Sequence, residues 1–144
     1  MSILFYTFHS NHFYKLILSV TIMPVKIALV GAHGVGKTGL ANALAAAFIA
    51  RGISVYTILE TARELARLEP HTVKINEETT IQSQARILEY QFQREVELEN
   101  SAYQAVICDR GFDNYVYMER KFGQQQKHID LVLRHLIDHP YKLI

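Results

Sequence analysis

The chain has 144 residues, 49% apolar and 20% charged, which suits one folded domain of roughly 150 residues and excludes a disordered tail or a low-complexity fibre. With 15 Lys plus Arg against 14 Asp plus Glu the net charge is +1, so no concentrated basic surface for nucleic acid or an anionic membrane is expected. The single cysteine, Cys108, excludes a disulfide scaffold and a four-thiolate zinc site, and it suits a reducing, cytoplasmic setting.

Residues 1–22 differ from the rest. They carry Phe5, Tyr6, Phe8, Phe13 and Tyr14 but are interrupted by His9, Ser10, Asn11, His12 and Lys15. A membrane span needs about 20 mostly apolar residues, and no small-residue cleavage site follows Val20. This segment reads as an N-terminal extension: upstream sequence outside the domain, or an edge strand over Phe13 to Val20 added to the sheet. The domain proper spans 23–144.

From Val25 the pattern is regular. Val25–Val30 is a β-branched-rich strand ending at glycine. Residues Gly36–Arg51 form a helix, with Leu40, Leu44, Ala47 and Phe48 on its apolar face and Gly52 stopping it. Ile53–Leu59 is a second strand, Thr61–Leu68 a short helix closed by Pro70, and His71–Glu78 a polar loop. Thr79–Asn100 is a long helix stepping through Ile81, Ala85, Leu88, Phe92 and Val96. Ala105–Cys108 is an apolar strand fit for the middle of a sheet. Two helices follow, Asn114–Phe122 and Gln125–Asp138, the second with Ile129, Val132, Leu133, Leu136 and Ile137 on one face. Tyr141–Ile144 reads as the start of a further strand. Strands alternating with helices imply an α/β fold in three layers around a parallel sheet.

Gly31-Ala32-His33-Gly34-Val35-Gly36-Lys37-Thr38 fits G-x-x-x-x-G-K-[ST] at every fixed position, between an expected strand and an expected helix. The glycines let successive N–H groups turn inward onto phosphate oxygens, reinforced by the helix N-terminus. Lys37 supplies positive charge to the β- and γ-phosphates of ATP or GTP, and Thr38 a hydroxyl to Mg²⁺. His33 is expected to shape the loop or face solvent.

Asp109 follows the central strand, where a Mg²⁺-water ligand belongs beside a phosphate loop. Arg110 offers a planar fork for an anion. Glu60 and Arg63 follow the second strand at the carboxyl edge of the sheet. There Glu60 either orients an acceptor hydroxyl or serves the helix dipole. Gln84 and Gln91, seven apart on one helix face, are either base-reading amides or solvated helix residues.

G-A-H-G-V-G-K-T, E-T-A-R and C-D-R-G-F-D-N-Y, spread over Val25 to Ile144, resemble the small P-loop kinases of nucleosides and nucleotides. Among them the chain looks like the AAA-type ATPase/kinase family associated with NAD metabolism, which includes ribosylnicotinamide kinase domains. The resemblance implies that Glu60 contacts the acceptor hydroxyl and that Asp109 and Arg110 serve metal and phosphate. Two features depart from the pattern. Gly39 stands where a hydroxyl residue is usual. The family also continues into a fourth strand, an arginine-bearing lid and a fifth strand with an adenine-contacting loop, so a C-terminal truncation is expected.

The expected activity is transfer of the γ-phosphoryl of ATP or GTP to a hydroxyl of a nucleoside-like or other small acceptor, with Mg²⁺. An ATPase or nucleotide switch, and a non-catalytic nucleotide-binding remnant, remain open. The expected partners are nucleotide and acceptor, with no nucleic acid or membrane. For the 144-residue chain, weak nucleotide binding, self-association and little acceptor phosphorylation are expected.

Overall fold

A computed structural model describes residues 3–7, 14–18, 23–31 and 34–142. Ile3–Thr7 (β1) and Tyr14–Leu18 (β2) pair antiparallel as a two-stranded sheet of their own, with Ile3 opposite Leu18 and Thr7 opposite Tyr14. The edge strand expected within 13–20 therefore pairs with residues 3–7 and not with the parallel sheet. Antiparallel neighbours need only a short connection, so this local pairing closes a smaller loop than docking on a distant strand would. Phe8, Phe13 and Val20 lie outside the described residues.

The main sheet holds Val25–Ala28 (β3), Val55–Ile58 (β4) and Ala105–Cys108 (β5) in the order β3-β5-β4. Both pairings are parallel, with Ala105 opposite Val25 on one side and Val55 on the other. All four residues of β5 are buried, as an apolar strand with neighbours on both sides and both faces requires. Alternation along β5 sorts the two faces. Ile107 packs with Ala41 and Ala45 of helix α1 (Lys37–Ile49). Val106 and Cys108 point the other way, onto Ile58 and Leu98, the latter on α3 (Ile81–Glu99). The sheet thus lies between α1 and α3, which gives the three layers.

Helix α2 (Thr61–Leu68) packs against α3 through Leu65, Val73 and Ile87. Phe112 and Tyr115, flanking the start of α4 (Asp113–Phe122), join α5 (Gln126–Asp138) around Leu88, Phe92 and Val132. The expected polar loop before α3 contains a single 3-10 turn, Asn76–Glu78. Thr80 caps α3, its side chain accepting a hydrogen bond from the Ser83 N–H. Among the described residues no helix is long and apolar enough to cross a membrane.

Three helix faces depart from the apolar periodicity. On α1, Leu40 is 56% exposed while Ala41 and Ala45 are buried; short side chains let the helix lie close to β5, and bulk at 40 turns outward. On α5, Leu133 and Ile137 are exposed while His128, Val132 and His135 are buried. On α3 the buried stripe carries Gln84, Gln91 and Glu95 beside Leu88 and Phe92. Gln84 and Gln91 are therefore not solvated.

The inward face of α5 and the burial of Glu95 on α3 have one cause, a charged cluster at Lys26 of β3. Lys26 Nζ lies 3.1 Å from Glu95 Oε2 and 3.7 Å from Glu99 Oε1. His135 meets Glu95 at 2.9 Å and His139 meets Glu99 at 2.8 Å. The Tyr141 hydroxyl donates to Glu95 Oε1 at 2.9 Å, and the His135 ring stacks on Phe92. Pairing α5 to α3 through His135 and His139 turns those histidines inward and leaves Leu133 and Ile137 outside. The Lys142 N–H donates to the Lys26 carbonyl at 2.9 Å. Val25 and Leu29 bond toward β5, so alternation puts that carbonyl on the other edge of β3. Residues 141–142 form no strand, and Leu143 and Ile144 of the strand expected from Tyr141 lie outside the described residues.

Candidate nucleotide-binding site

Parallel strands end at one edge of the sheet, and the loops leaving Ala28, Ile58 and Cys108 carry Gly31–Lys37, Glu60 and Asp109. Ala32 and His33 lie outside the described residues. Gly34 and Gly36 have φ of 80° and 88°, a left-handed geometry that glycine adopts without a Cβ penalty. Gly36 is the N-cap of α1, with no side chain satisfying the first N–H groups of the helix. That leaves an N-terminus suited to an anion. Lys37, the first residue of α1, folds back so that Nζ donates to the Gly31 carbonyl at 2.6 Å and stands 3.9 Å from Asp113 Oδ2.

Thr38 Oγ1 donates to Asp109 Oδ2 at 2.5 Å. Asp109 is fixed from behind by its own N–H, which donates to the Ile58 carbonyl at 3.0 Å. The residue is only 6% exposed, and its Oδ1 is buried with no hydrogen-bond partner among the described residues. A buried carboxylate oxygen left unsatisfied is costly unless a cation or bound water completes it. Beside a threonine hydroxyl it offers the hard oxygen ligands that suit Mg²⁺. The residues present fit the metal.

Gly111 is needed for space: a Cβ there would meet Ala28 Cβ at 3.0 Å. The glycine lets the 109–113 turn press on the end of β3 and brings Asp113 over the phosphate loop. The Gly111 N–H donates to Asp113 Oδ1 at 2.8 Å. Burial pushes the Asp113 carboxyl above the usual carboxylate range, opposed by that N–H and by the charges of Arg110 and Lys37. Arg110 donates from its guanidinium to Asn114 Oδ1 at 3.0 Å, and its carbonyl accepts from Gln91 Nε2 at 2.5 Å.

Glu60 stands at φ 49°, ψ 36°, a left-handed conformation unusual for glutamate, as the N-cap of α2. Both its carboxylate oxygens accept from Arg63 at 2.9 Å. Backbone held in this region costs about 1–3 kcal/mol and clusters at functional sites. Gln84 donates to Thr79 Oγ1 at 2.7 Å. Gln91 is fully buried, its amide engaged with Glu95, Arg110 and Asn114.

The structure thus brings Lys37, Thr38 and Asp109 together around the phosphate loop, with Arg110 next to Asp109 in the chain and bonded to Asn114. Glu60 and Arg63 stand at the same sheet edge, paired with each other. Gln84 and Gln91 face the interior. Asp113 and Asn114 went unnoticed in the sequence; an acid four residues after Asp109 at a helix start was the available signal for Asp113.

A glycine-rich strand-to-helix loop with its lysine and threonine, and an aspartate from the adjacent parallel strand bonded to that threonine, define a P-loop NTPase fold. Residues 26–144 match the AAA domain family, and the chain belongs to it. No curated protein matches the chain significantly.

Proposed function

We propose that the chain binds ATP or GTP with Mg²⁺ at residues 31–38 and transfers the γ-phosphoryl to a hydroxyl of a nucleoside-like or other small acceptor. The observation that carries the nucleotide half is the Thr38–Asp109 pair, whose buried Oδ1 has no hydrogen-bond partner among the described residues. Thr38 and Asp109 would hold Mg²⁺, which when bound neutralises charge on the β- and γ-phosphates. The loop N–H groups and the α1 N-terminus orient the phosphates. Lys37 moves from Gly31 onto the β- and γ-oxygens, and Arg110 binds an equatorial oxygen. Catalysis in this class is mostly positioning and charge stabilisation.

The acceptor half rests on Glu60, whose strained backbone aims a carboxylate from the carboxyl edge of the sheet, with Arg63 steadying both oxygens. Glu60 takes the hydroxyl proton as the acceptor oxygen attacks the γ-phosphorus and the bond to the β-bridging oxygen breaks. ADP release measured with and without a panel of nucleosides tests the proposal. Release that needs a nucleoside, with a phosphorylated product, is expected. Equal release without one assigns water as the acceptor, making the chain an ATPase or switch. Nucleotide binding with no release in either case marks a non-catalytic binding domain.

A further inference from the structure

Arg110 is held by a closed ring of buried amides. Its guanidinium donates to Asn114 Oδ1 at 3.0 Å, Asn114 Nδ2 donates to Gln91 Oε1 at 3.4 Å, and Gln91 Nε2 returns to the Arg110 carbonyl at 2.5 Å. The ring leaves one side chain and comes back to the backbone of the same residue, so it fixes the arginine at both ends. Asn114 and Gln91 are 3% and 0% exposed, and Gln91 also donates to Glu95 Oε1 at 3.1 Å. Glu95 is tied in turn to Lys26 on β3. The ring is therefore anchored to the strand that leads into the phosphate loop.

The place at which Arg110 is held follows from its neighbours in the chain. Asp113 Oδ2 lies 3.9 Å from Lys37 Nζ, and the Arg110 charge acts on the same carboxylate. Arg110 directly follows Asp109, whose carboxylate the Thr38 hydroxyl meets beside the phosphate loop, so the ring holds the arginine one residue along the chain from that contact. A mobile arginine loses rotamer freedom when a ligand fixes it. A guanidinium fixed beforehand avoids that loss on binding.

We infer that Asn114 and Gln91 are positioning residues that preset the Arg110 guanidinium at the phosphate loop, acting on nucleotide affinity only through Arg110. The inference rests on the nucleotide-binding reading. It also gives Gln91 a role other than contact with a base, because its amide is already committed on the protein side.

The test is a double-mutant cycle of Arg110→Ala and Asn114→Ala, read as affinity for a non-hydrolysable ATP analogue with Mg²⁺ by titration calorimetry. Arg110→Ala is expected to weaken binding about tenfold and Asn114→Ala about three- to tenfold. Adding Asn114→Ala to Arg110→Ala should change nothing further. Additive losses, or an Asn114→Ala effect that persists without Arg110, overturn the inference, as does an Arg110→Ala protein of wild-type affinity. Asn114 is buried, so Asn114→Ala is also checked for folding. Nitrogen-15 NMR of the wild-type chain tests the ring without that variant. A held guanidinium gives resolved, slowly rotating Nη–H signals for Arg110, assigned by their loss in Arg110→Lys, whereas one averaged signal contradicts the ring. Lys37→Ala separates the two readings. If it leaves affinity unchanged, nucleotide binding itself is wrong. If it abolishes binding while the Arg110 cycle is additive, only the positioning role falls.

Discussion

Thr38 and Asp109, 71 residues apart in the chain, are joined by a 2.5 Å hydrogen bond from the hydroxyl to Asp109 Oδ2. One opens α1 and the other ends β5, and β5 lies beside β3 in the sheet. The strand order therefore delivers the aspartate to the threonine. Asp109 Oδ1 is buried with no hydrogen-bond partner among the described residues, which supports the proposed cation seat at this pair. Asp109→Asn keeps the size and an acceptor oxygen but removes the charge. It is expected to weaken Mg²⁺-dependent nucleotide binding by about tenfold or more while leaving the weaker Mg²⁺-free binding near wild type. Calorimetry with Mg²⁺ and with a chelator measures both, and equal losses in the two would assign Asp109 to the fold alone.

Lys37→Ala removes the charge that the loop presents to the terminal phosphates. Affinity for ATP or GTP is expected to fall by at least tenfold, about 1.4 kcal/mol. Its neighbour acts in the opposite sense. The Asp113 carboxylate faces Lys37 at 3.9 Å, so any phosphate arriving there meets a like charge. Asp113→Asn can keep the hydrogen bond from the Gly111 N–H while removing that repulsion. It is expected to tighten nucleotide binding several-fold, most at low ionic strength. Weaker binding by Asp113→Asn would mean that the carboxylate itself serves the ligand.

The phosphate loop was legible because its chemistry is local. Eight consecutive residues carry the fingerprint, and it fixes Gly36, one of the two loop glycines at positive φ, while Gly34 falls at a free position. Asp109 was legible because an apolar run marks a central strand and the sheet brings its end to the loop. The buried charges were not. Lys26 interrupts an otherwise apolar strand, and its contact with His135 spans 109 residues. Periodicity scores an inward histidine or glutamate as polar, and so the core face that it assigned to α5 took in Leu133 and Ile137 beside the buried Val132. Short side chains misled it on α1, where Ala41 and Ala45 make the contact that bulk was expected to make at Leu40. Glu60 was visible as a candidate, but its left-handed backbone was not, because no glycine or asparagine announces it.

Glu60 gives the sharpest kinetic prediction. If it orients and deprotonates an acceptor hydroxyl, Glu60→Gln should lower kcat for phosphoryl transfer by about 10²-fold or more with nucleotide affinity unchanged. Glu60→Gly should behave differently in stability, because it removes the side chain but relieves the φ of 49°. That variant is expected to be at least as stable as wild type and equally inactive. Full acceptor phosphorylation by Glu60→Gln would leave Glu60 as the cap of α2 and nothing more.

The Glu95 cluster predicts how stability depends on acid. Burial opposes ionisation of Glu95, but the His135 hydrogen bond, the Lys26 charge and the hydroxyl and amide of Tyr141 and Gln91 outweigh it and hold its carboxyl below the ordinary value of 4.5. A group whose folded value is lowered contributes stability that is complete above its unfolded value and is lost as pH falls through the folded one. The Glu95 contribution to urea unfolding midpoints should therefore be independent of pH near neutrality, and the midpoints should fall below pH 4.5, more steeply in wild type than in Glu95→Gln. Lys26→Met tests the same cluster from its cationic side. It leaves buried carboxylate without the ammonium at 3.1 Å, and breaking such a pair costs about 3–5 kcal/mol. The double variant Lys26→Met with Glu95→Leu removes both charges, and it should recover a substantial part of that loss. A Lys26→Met protein as stable as wild type at pH 7, with an unchanged acid limb in Glu95→Gln, would show that the cluster is solvated and that α3, α5 and β3 are held together by their apolar contacts alone.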